Sequence, residues 1–273
     1  MSPLCACRYE VLPFPRSEEQ AAELPAPLRL TVTASPKHDI ERSLEHALGL
    51  RALGHRVTLH LAARMVENRE HLDAVLRRTA EGGIDDIFVI GGDRQEPIGP
   101  YSSAGEILDI LAGHPLRPAA VGVAAYPEGH PLIDDRQLDA ALRHKARLAT
   151  YMVTQICFDA QVLLTWLSEL RASGITLPLY AGVTGQADRR RLLEASVRVG
   201  VGPSLRFLRK QRGVGRLLRG SADATRRFYD AIDARRTDSS LRIVGFHFFT
   251  FNELSATWRW QEKRCVQGDR LAG

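Results

Sequence analysis

Short apolar runs rich in Val, Ile, Leu and Phe alternate along the chain with longer stretches in which apolar positions recur at helical spacing. The runs predict strands at residues 5–12, 28–33, 56–61, 86–91, 119–124, 151–158, 177–183 and 242–248. Between them the spacing predicts amphipathic helices. Ile40, Leu44, Ala47 and Leu48 share one face behind the N-cap candidate Asp39, and Leu72, Val75, Leu76 and Thr79 repeat that spacing. Gly54, Gly83 and Gly174 stand where such helices should end. Eight strands joined by helices, with no break in composition, predict a single (β/α)8 barrel over residues 1–273. The competing doubly wound sheet wants fewer strands and a glycine-rich turn after the first one. That turn, Pro13-Phe14-Pro15-Arg16, has no glycine.

In a barrel of this kind the chemistry sits at the C-terminal ends of the strands. Those positions here are Glu10, Thr33 with Ser35, His60, Gly91-Gly92-Asp93, Tyr126 with Glu128 and His130, Thr154-Gln155, and His247 with Thr250 and Asn252. The turn Ala124-Ala125-Tyr126-Pro127-Glu128-Gly129-His130-Pro131 stands out. A turn needed only for connection is satisfied by Gly, Asn or Asp. Tyr, Glu and His held among prolines suit a rigid rim around a ligand.

Glu10 lies inside an apolar strand, where partial burial raises a carboxyl pKa and leaves a proton donor near neutrality. Its competing reading is a buried ion pair with an Arg. Asp93 follows two glycines, which let a ligand approach the backbone closely, although a cap or turn role is the alternative. Gln155 within an apolar strand needs hydrogen-bond partners. His60 reads equally as a ligand contact or as a satisfied core histidine.

Composition narrows the chemistry mostly by exclusion. The 273 residues, 44% of them hydrophobic, are enough for a large core, and the net charge of +5 is spread over an Arg-rich chain. No basic run carries interleaved aromatics, so nucleic acid is not an expected partner. Cys5, Cys7, Cys157 and Cys265 form no Cys-x-x-Cys pair and read as reduced thiols. No apolar segment approaches a membrane span and the N-terminus has no signal-peptide core, so a soluble cytoplasmic protein is expected. There is no His-Glu-x-x-His, Gly-x-Ser-x-Gly, P-loop or Cys/His cluster, and no metal is expected. Gly200-Val201-Gly202 and Gly213-Val214-Gly215 are only fragments of a dinucleotide fingerprint. Redox or proton-transfer chemistry on an organic ligand remains.

From Tyr9 to Glu253 the order of motifs resembles the methylenetetrahydrofolate reductase family. Tyr9-Glu10-Val11-Leu12-Pro13 resembles the family's Phe-Glu-Phe-Phe-Pro opening, Gly92-Asp93 its Gly-Asp turn, and Tyr101-Ser102-Ser103 its Tyr-x-Ser. The Ala-Ala-Tyr-Pro-Glu-x-His-Pro turn is intact at residues 124–131, a Thr-Gln-x-x-Phe-Asp strand matches 154–159, and a His-Phe-Tyr-Thr-Leu-Asn ending matches 247–252. The resemblance implies a (β/α)8 barrel that reduces 5,10-methylenetetrahydrofolate to 5-methyltetrahydrofolate with hydride from NAD(P)H, a step of one-carbon metabolism that serves methionine biosynthesis. It implies Glu10 as general acid and Asp93 as the group that holds the pterin and steadies the developing cation. Gln155, Asp93, Thr184 and Phe248 are implied at the folate, and Thr33, His60, Tyr101, Ala125, Tyr126, His130 and Lys145 at the flavin. The basic residues Arg206, Arg209, Lys210 and Arg212 suit the glutamyl carboxylates of folate or, alternatively, a solvated helix face.

The departures fall on the flavin side. Typical members carry Lys-x-x-x-Gly-Ala-Asp before the Thr-Gln strand, whereas residues 144–150 here read His-Lys-Ala-Arg-Leu-Ala-Thr. Gly91 and Glu253 stand where arginines are common, and a Pro-Gly-Ile-x-Pro turn has become Ala181-Gly182-Val183-Thr184-Gly185. The expectation is weak or no FAD binding, with hydride passing straight from NAD(P)H. A barrel oxidoreductase acting on another tetrahydropterin and a non-enzymatic, regulatory paralogue remain open, as does a homo-oligomeric state.

Overall fold

A computed structural model describes residues 7–130, 132–157, 159–186 and 225–271, with side chains as far as Arg264. Eight parallel strands close into one barrel in chain order, β1 pairing with both β2 and β8. They are β1 (Cys7–Val11), β2 (Arg29–Val32), β3 (Arg56–Ala62), β4 (Asp86–Ile90), β5 (Ala120–Ala125), β6 (Tyr151–Ile156), β7 (Leu179–Thr184) and β8 (Ile243–Phe249). The helices around them are α1 (Pro15–Ala22), α2 (Ile40–Ala52), α3 (Arg69–Glu81), α4 (Ala104–Ala112), α5 (Asp135–Ala146), α6 (Ala160–Ala172), α7 (residues 225–233) and α8 (Leu254–Leu271). All eight predicted strands are present, and the doubly wound alternative is excluded by closure between the first and last of them. The Arg-rich stretch 204–220 and both Gly-x-Gly fragments lie outside the described residues.

Local chemistry sets the ends of the helices as the sequence requires. The Asp39 side chain accepts the Arg42 N–H to cap α2, and Asn68, Asp134 and Asp159 cap α3, α5 and α6 in the same way. Gly54 and Gly174 stop α2 and α6 at φ of 88°, a left-handed conformation that a Cβ would resist.

Strand alternation builds two separate cores. Outward residues such as Tyr9, Leu30, Leu59, Val89, Val123 and Phe248 pack against the helices in one continuous apolar layer. On the β8 side this layer is aromatic: Tyr9 stacks on Phe248 at 5.5 Å, and Tyr229 stacks on Phe246 at 4.1 Å. Inward residues form a smaller core around Phe88, Tyr151 and Val153. Beneath it lies a polar plug. The Arg8 guanidinium donates to Asp86 Oδ2 at 2.7 Å, Thr58 Oγ1 at 2.9 Å and the Tyr151 hydroxyl at 3.1 Å. Its charge lies between the Tyr151 and Tyr180 rings, 4.2 and 4.5 Å from their centroids. The plug closes the N-terminal end of the barrel and leaves the C-terminal end as the mouth.

Candidate functional site

The next inward positions above the plug bring together three groups from three strands. Glu10 on β1 approaches His247 on β8, with 3.2 Å between Oε2 and Nε2, and His60 on β3 lies 3.9 Å from the same oxygen. The carboxylate side chain is 17% exposed, whereas the two imidazoles are almost fully enclosed. The acid therefore stands at the water boundary with histidines behind it. The sequence alternative of an ion pair with an Arg is not what forms, because His247 occupies that side of the carboxyl group.

His60 packs against the Phe88 ring at 4.8 Å, and neither of its ring nitrogens has a hydrogen-bond partner among the described residues. Burial drives its pKa down to about 4, with Glu10 pulling up and His247 pushing down, so His60 is neutral at physiological pH. It is neither a satisfied core histidine nor a cation. His247 Nδ1 is likewise buried without a partner. Buried nitrogens in this condition call for a ligand or water in the barrel throat.

A second group of residues lies on the rim above. Asp93 follows β4, Tyr126 and His130 follow β5, and Gln155 comes from β6. The Tyr126 phenol bonds the Gln155 side chain, and burial followed by the nearby Asp93 charge raises its pKa. Asp93 keeps part of its surface open at the mouth, yet the atoms crowding its carboxyl group raise its pKa while His130 pulls the other way. Burial lowers the His130 pKa, and its ring meets that of Tyr126 edge-on at 5.1 Å. An acid with a raised pKa, a phenol and an imidazole around an open mouth provide donors and acceptors for a polar heterocycle.

Gln155 reaches this rim through a fault in β6. The register with β7 slips by one residue between Val153 and Ile156, a β-bulge that turns the amide out of the strand so that it is exposed. The bulge requires Gly182 on β7, where a Cβ would lie 2.4 Å from Thr154 O and 2.5 Å from Gln155 O. Gly92 serves the turn before Asp93 at φ of 93°, where a Cβ would come within 3.0 Å of Ala62 Cβ.

The remaining predicted residues separate into groups. Lys145 on α5 donates to Ala124 O at 2.8 Å, with its ammonium 6.0 Å from the centre of the Tyr126 ring, and burial lowers its pKa to about 8. Thr33 uses its hydroxyl on Ala34 O at 3.1 Å, next to the mouth. Thr184 ends β7 with its hydroxyl 2.7 Å from that of Thr225. Tyr101 is half-buried against the helix-side core. Two predictions need correction. Phe248 has the outward parity of β8 and is fully buried between Tyr9, Tyr229 and Trp260, so it does not reach the mouth. The Ala125 side chain is also in the outer core, which leaves only its backbone for the rim.

Thr250 and Asn252, read as rim groups, instead fasten the first strand to the last. The Thr250 hydroxyl donates to Glu10 O, and Asn252 Oδ1 accepts the Leu12 N–H at 2.7 Å. Among inward residues the site reading passed over Phe88 and Phe249, and it gave His247 no role. The signal for His247 was the parity of β8, in which Gly245, His247 and Phe249 alternate with the apolar Phe246 and Phe248.

Comparison with known proteins bears on the family and the fold. Three curated relatives are similar over part of their length. Methylenetetrahydrofolate reductase 1 of Schizosaccharomyces pombe is 30% identical over 124 residues, covering 42% of this chain and 20% of that protein. Methylenetetrahydrofolate reductase 2 of Saccharomyces cerevisiae is 23% identical over 156 residues, covering 53% and 25%. The 5,10-methylenetetrahydrofolate reductase of Pectobacterium carotovorum is 27% identical over 158 residues, covering 57% and 50%. The matches thus span between a fifth and a half of the relatives' length. A Clostridium thermocellum protein described as binding two copies of 5-methyl-5,6,7,8-tetrahydrofolic acid shares the fold, with a TM-score of 0.67 at 11% identity over 95% of this chain and 94% of that one. Residues 51–192, more than half of the sequence, match the family model for methylenetetrahydrofolate reductase, and the chain belongs to that family.

Proposed function

We propose that this protein reduces 5,10-methylenetetrahydrofolate to 5-methyltetrahydrofolate, taking hydride from NAD(P)H. The observation that carries the reading is Glu10, a carboxyl group held by His247 at the bottom of an otherwise enclosed throat. Its role is to protonate N10 of the substrate. The bond from N10 to the bridging methylene then breaks and leaves an iminium at N5. Hydride adds to the methylene carbon and produces the N5-methyl group, so one NAD(P)H and one proton are consumed for each product. Asp93 on the rim faces the pterin and steadies the cationic intermediate, and Gln155, carried outward by the β6 bulge, hydrogen-bonds the folate. Folate and the nicotinamide donor are the partners of this site; nucleic acid and membrane have no part in it, and the setting is the cytoplasm. No described helix is long and apolar enough to cross a membrane.

Flavin is the point of departure from the family. Thr33, Tyr126 and His130 border the space an isoalloxazine would take, with His60 enclosed beneath them, but Lys145 and Arg64 among the described residues do not suit its diphosphate. Lys145 is bound to Ala124 O, and Arg64 is bound to Ser102 O, Arg94 O and Gln95 O. Both cations are already committed to backbone carbonyls, and Gly91 offers no side chain. A resident flavin needs such anchors, whereas a dissociating nicotinamide substrate does not have to be held between turnovers. These commitments support direct hydride transfer as the proposed route.

The experiment is NADH and NADPH oxidation with 5,10-methylenetetrahydrofolate, using protein whose visible spectrum shows no flavin, with and without added FAD. Activity without FAD is expected, and Glu10→Gln should lower it by about 10²–10⁴-fold. Protein purified with stoichiometric FAD would overturn the flavin-free reading, and full activity in Glu10→Gln would overturn the role of the acid.

A further inference from the structure

At the opposite end of the barrel lies a cavity that the proposed reaction does not use. It has a volume of about 490 Å³ and opens between the C-terminal turn of α5, the α6–β7 connection and the residue that precedes β8. Arg143, Arg147 and Arg242 line it, with Ser173 and Thr176 supplying hydroxyls and Ile175, Leu177 and Pro178 an apolar wall. No acidic residue among the described ones lines it. A volume of this order accommodates a small organic molecule, and the lining has both an apolar and a cationic side.

The charge is under-compensated. Arg143 pairs with Asp139 at 2.7 Å, whereas among the described residues the Arg147 side chain meets only His144 and the Arg242 side chain makes no hydrogen bond or ion pair, although the Arg242 carbonyl accepts the Leu179 N–H at 3.0 Å. Arg171 stands behind the wall and donates to the carbonyls of Ile175, Leu177 and Leu241, with no carboxylate partner. Burial, then the proximity of Arg242, lowers the Arg171 pKa to about 10. The Arg171 and Arg242 guanidinium groups are thus neighbours at the cavity wall, with no carboxylate paired to either among the described residues.

Helix dipoles account for part of this. Arg143, Arg147 and Arg171 are at the C-terminal ends of α5 and α6, where basic residues are favoured in any protein. They do not account for Arg242, which lies outside a helix and holds φ of 53°. A turn that needs this left-handed conformation takes Gly at no steric penalty, and Asn tolerates it. A glycine could accept the Leu179 N–H with the same carbonyl and no strain, whereas the arginine bears the strain, gains no side-chain hydrogen bond or ion pair among the described residues, and delivers a cation to the cavity. Strain of this kind, retained beneath a side chain that has no partner among the described residues, is a pointer to function.

We infer that this cavity is a binding site for a phosphate-bearing small molecule with an organic body of nucleotide size. The guanidinium forks of Arg147 and Arg242 take the phosphate, and the wall from Ile175 to Pro178 takes the body. The site lies at the end of the barrel opposite the Glu10 mouth, so it is not an extension of the folate site and does not depend on the proposed reaction.

The test is calorimetric titration of the full chain with adenosine 5′-monophosphate, inorganic phosphate and citrate at matched ionic strength, in the parent and in Arg242→Gly, Arg147→Glu and Glu10→Gln. The phosphate ester should bind most tightly, inorganic phosphate more weakly and citrate weakest. Arg242→Gly should weaken the ester at least tenfold while leaving the melting temperature equal or higher, because glycine relieves the strained backbone. Arg147→Glu should abolish binding, and Glu10→Gln should leave it unchanged. Absence of binding in the parent, citrate equal to the ester, or unchanged affinity in Arg242→Gly would each overturn the inference. Loss of binding in Glu10→Gln would place the ligand at the other mouth and overturn it as well.

Discussion

Replacing Asp86 by alanine removes the one carboxylate that neutralises a guanidinium buried in the floor of the barrel. Asp86 accepts from Arg8 at 2.7 Å and Thr58 at 2.9 Å through Oδ2, and from the Tyr151 hydroxyl at 2.8 Å through Oδ1. The Arg8 and Asp86 side chains are 4% and 13% exposed, so water cannot replace what is lost without opening the barrel. Breaking one side of a buried pair costs about 3–5 kcal/mol, because the surviving charge has no partner. The two stranded hydroxyls place the expected value at the upper end of that range. The aromatic faces of Tyr151 and Tyr180 hold the cation in parent and variant alike and so do not offset the change, and a loss of about 4–5 kcal/mol is expected. Urea unfolding followed by tryptophan fluorescence measures it. The double substitution Arg8→Met with Asp86→Leu should be less destabilising than Asp86→Ala alone, since no charge is left behind. Salt near 1 M should leave the Asp86→Ala difference intact, because a buried pair is poorly screened. A loss under about 1 kcal/mol, or a double variant as unstable as the sum of its parts, would refute the reading of the plug as a neutralised charge.

Three further outcomes are expected. His60 and His46 have pKa values lowered to about 4, and burial is the leading cause for both. Unfolding frees each to bind a proton near pH 6.5, so their stabilising contribution is full above that pH and fades as pH falls toward 4, by up to about 1.4 kcal/mol per pH unit per histidine. Denaturation at a series of pH values checks this, and His60→Gln should flatten the slope. His247→Phe removes the hydrogen-bond partner of Glu10 at 3.2 Å. It should lower kcat about 10–100-fold and displace the pH profile, with His247→Gln recovering part of the rate; an unaltered profile would count against a role in holding the acid. Gly182→Ala places a methyl group 2.4 Å from Thr154 O. It should raise KM for the folate more than it lowers kcat, since the bulge that presents Gln155 has to move.

The barrel was legible because its outward face is apolar in every strand, so each strand announced itself as a short hydrophobic run. Glu10 was legible for the converse reason: a carboxylate in such a run has no packing role. Parity was the weaker signal. Phe248 and His247 are neighbours at a strand exit, and only the alternation of β8 decides that the imidazole faces the throat and the ring faces the helices. Backbone features were harder still. The β6 bulge that exposes Gln155 leaves no mark in its own strand beyond an amide among apolar residues, and its enabling glycine, Gly182, lies on β7. Thr250 and Asn252 are polar groups at an exit, and nothing in their identity distinguishes a ligand contact from a fastening of β1. Arg242 reads in sequence as an ordinary strand-edge cation, because a left-handed backbone at a non-glycine residue cannot be seen until the chain is folded.

The pairing of β1 with β8 has a consequence for how activity is acquired. Glu10 and His247 are 237 positions apart in the chain, and the hydrogen bonds of Thr250 and Asn252 to β1 span similar distances. Contacts of such long sequence separation carry a large loop-closure entropy, and they are expected to form after the intervening strands have paired. The acid thus meets its histidine only when the ring is sealed. A chain arrested one strand short would keep most of its sheet and helices, and would bury nearly as much surface, yet its carboxyl group would face water. Under the proposed reaction, turnover reports on closure itself, and a refolding experiment that follows secondary structure and turnover together should see the second lag behind the first.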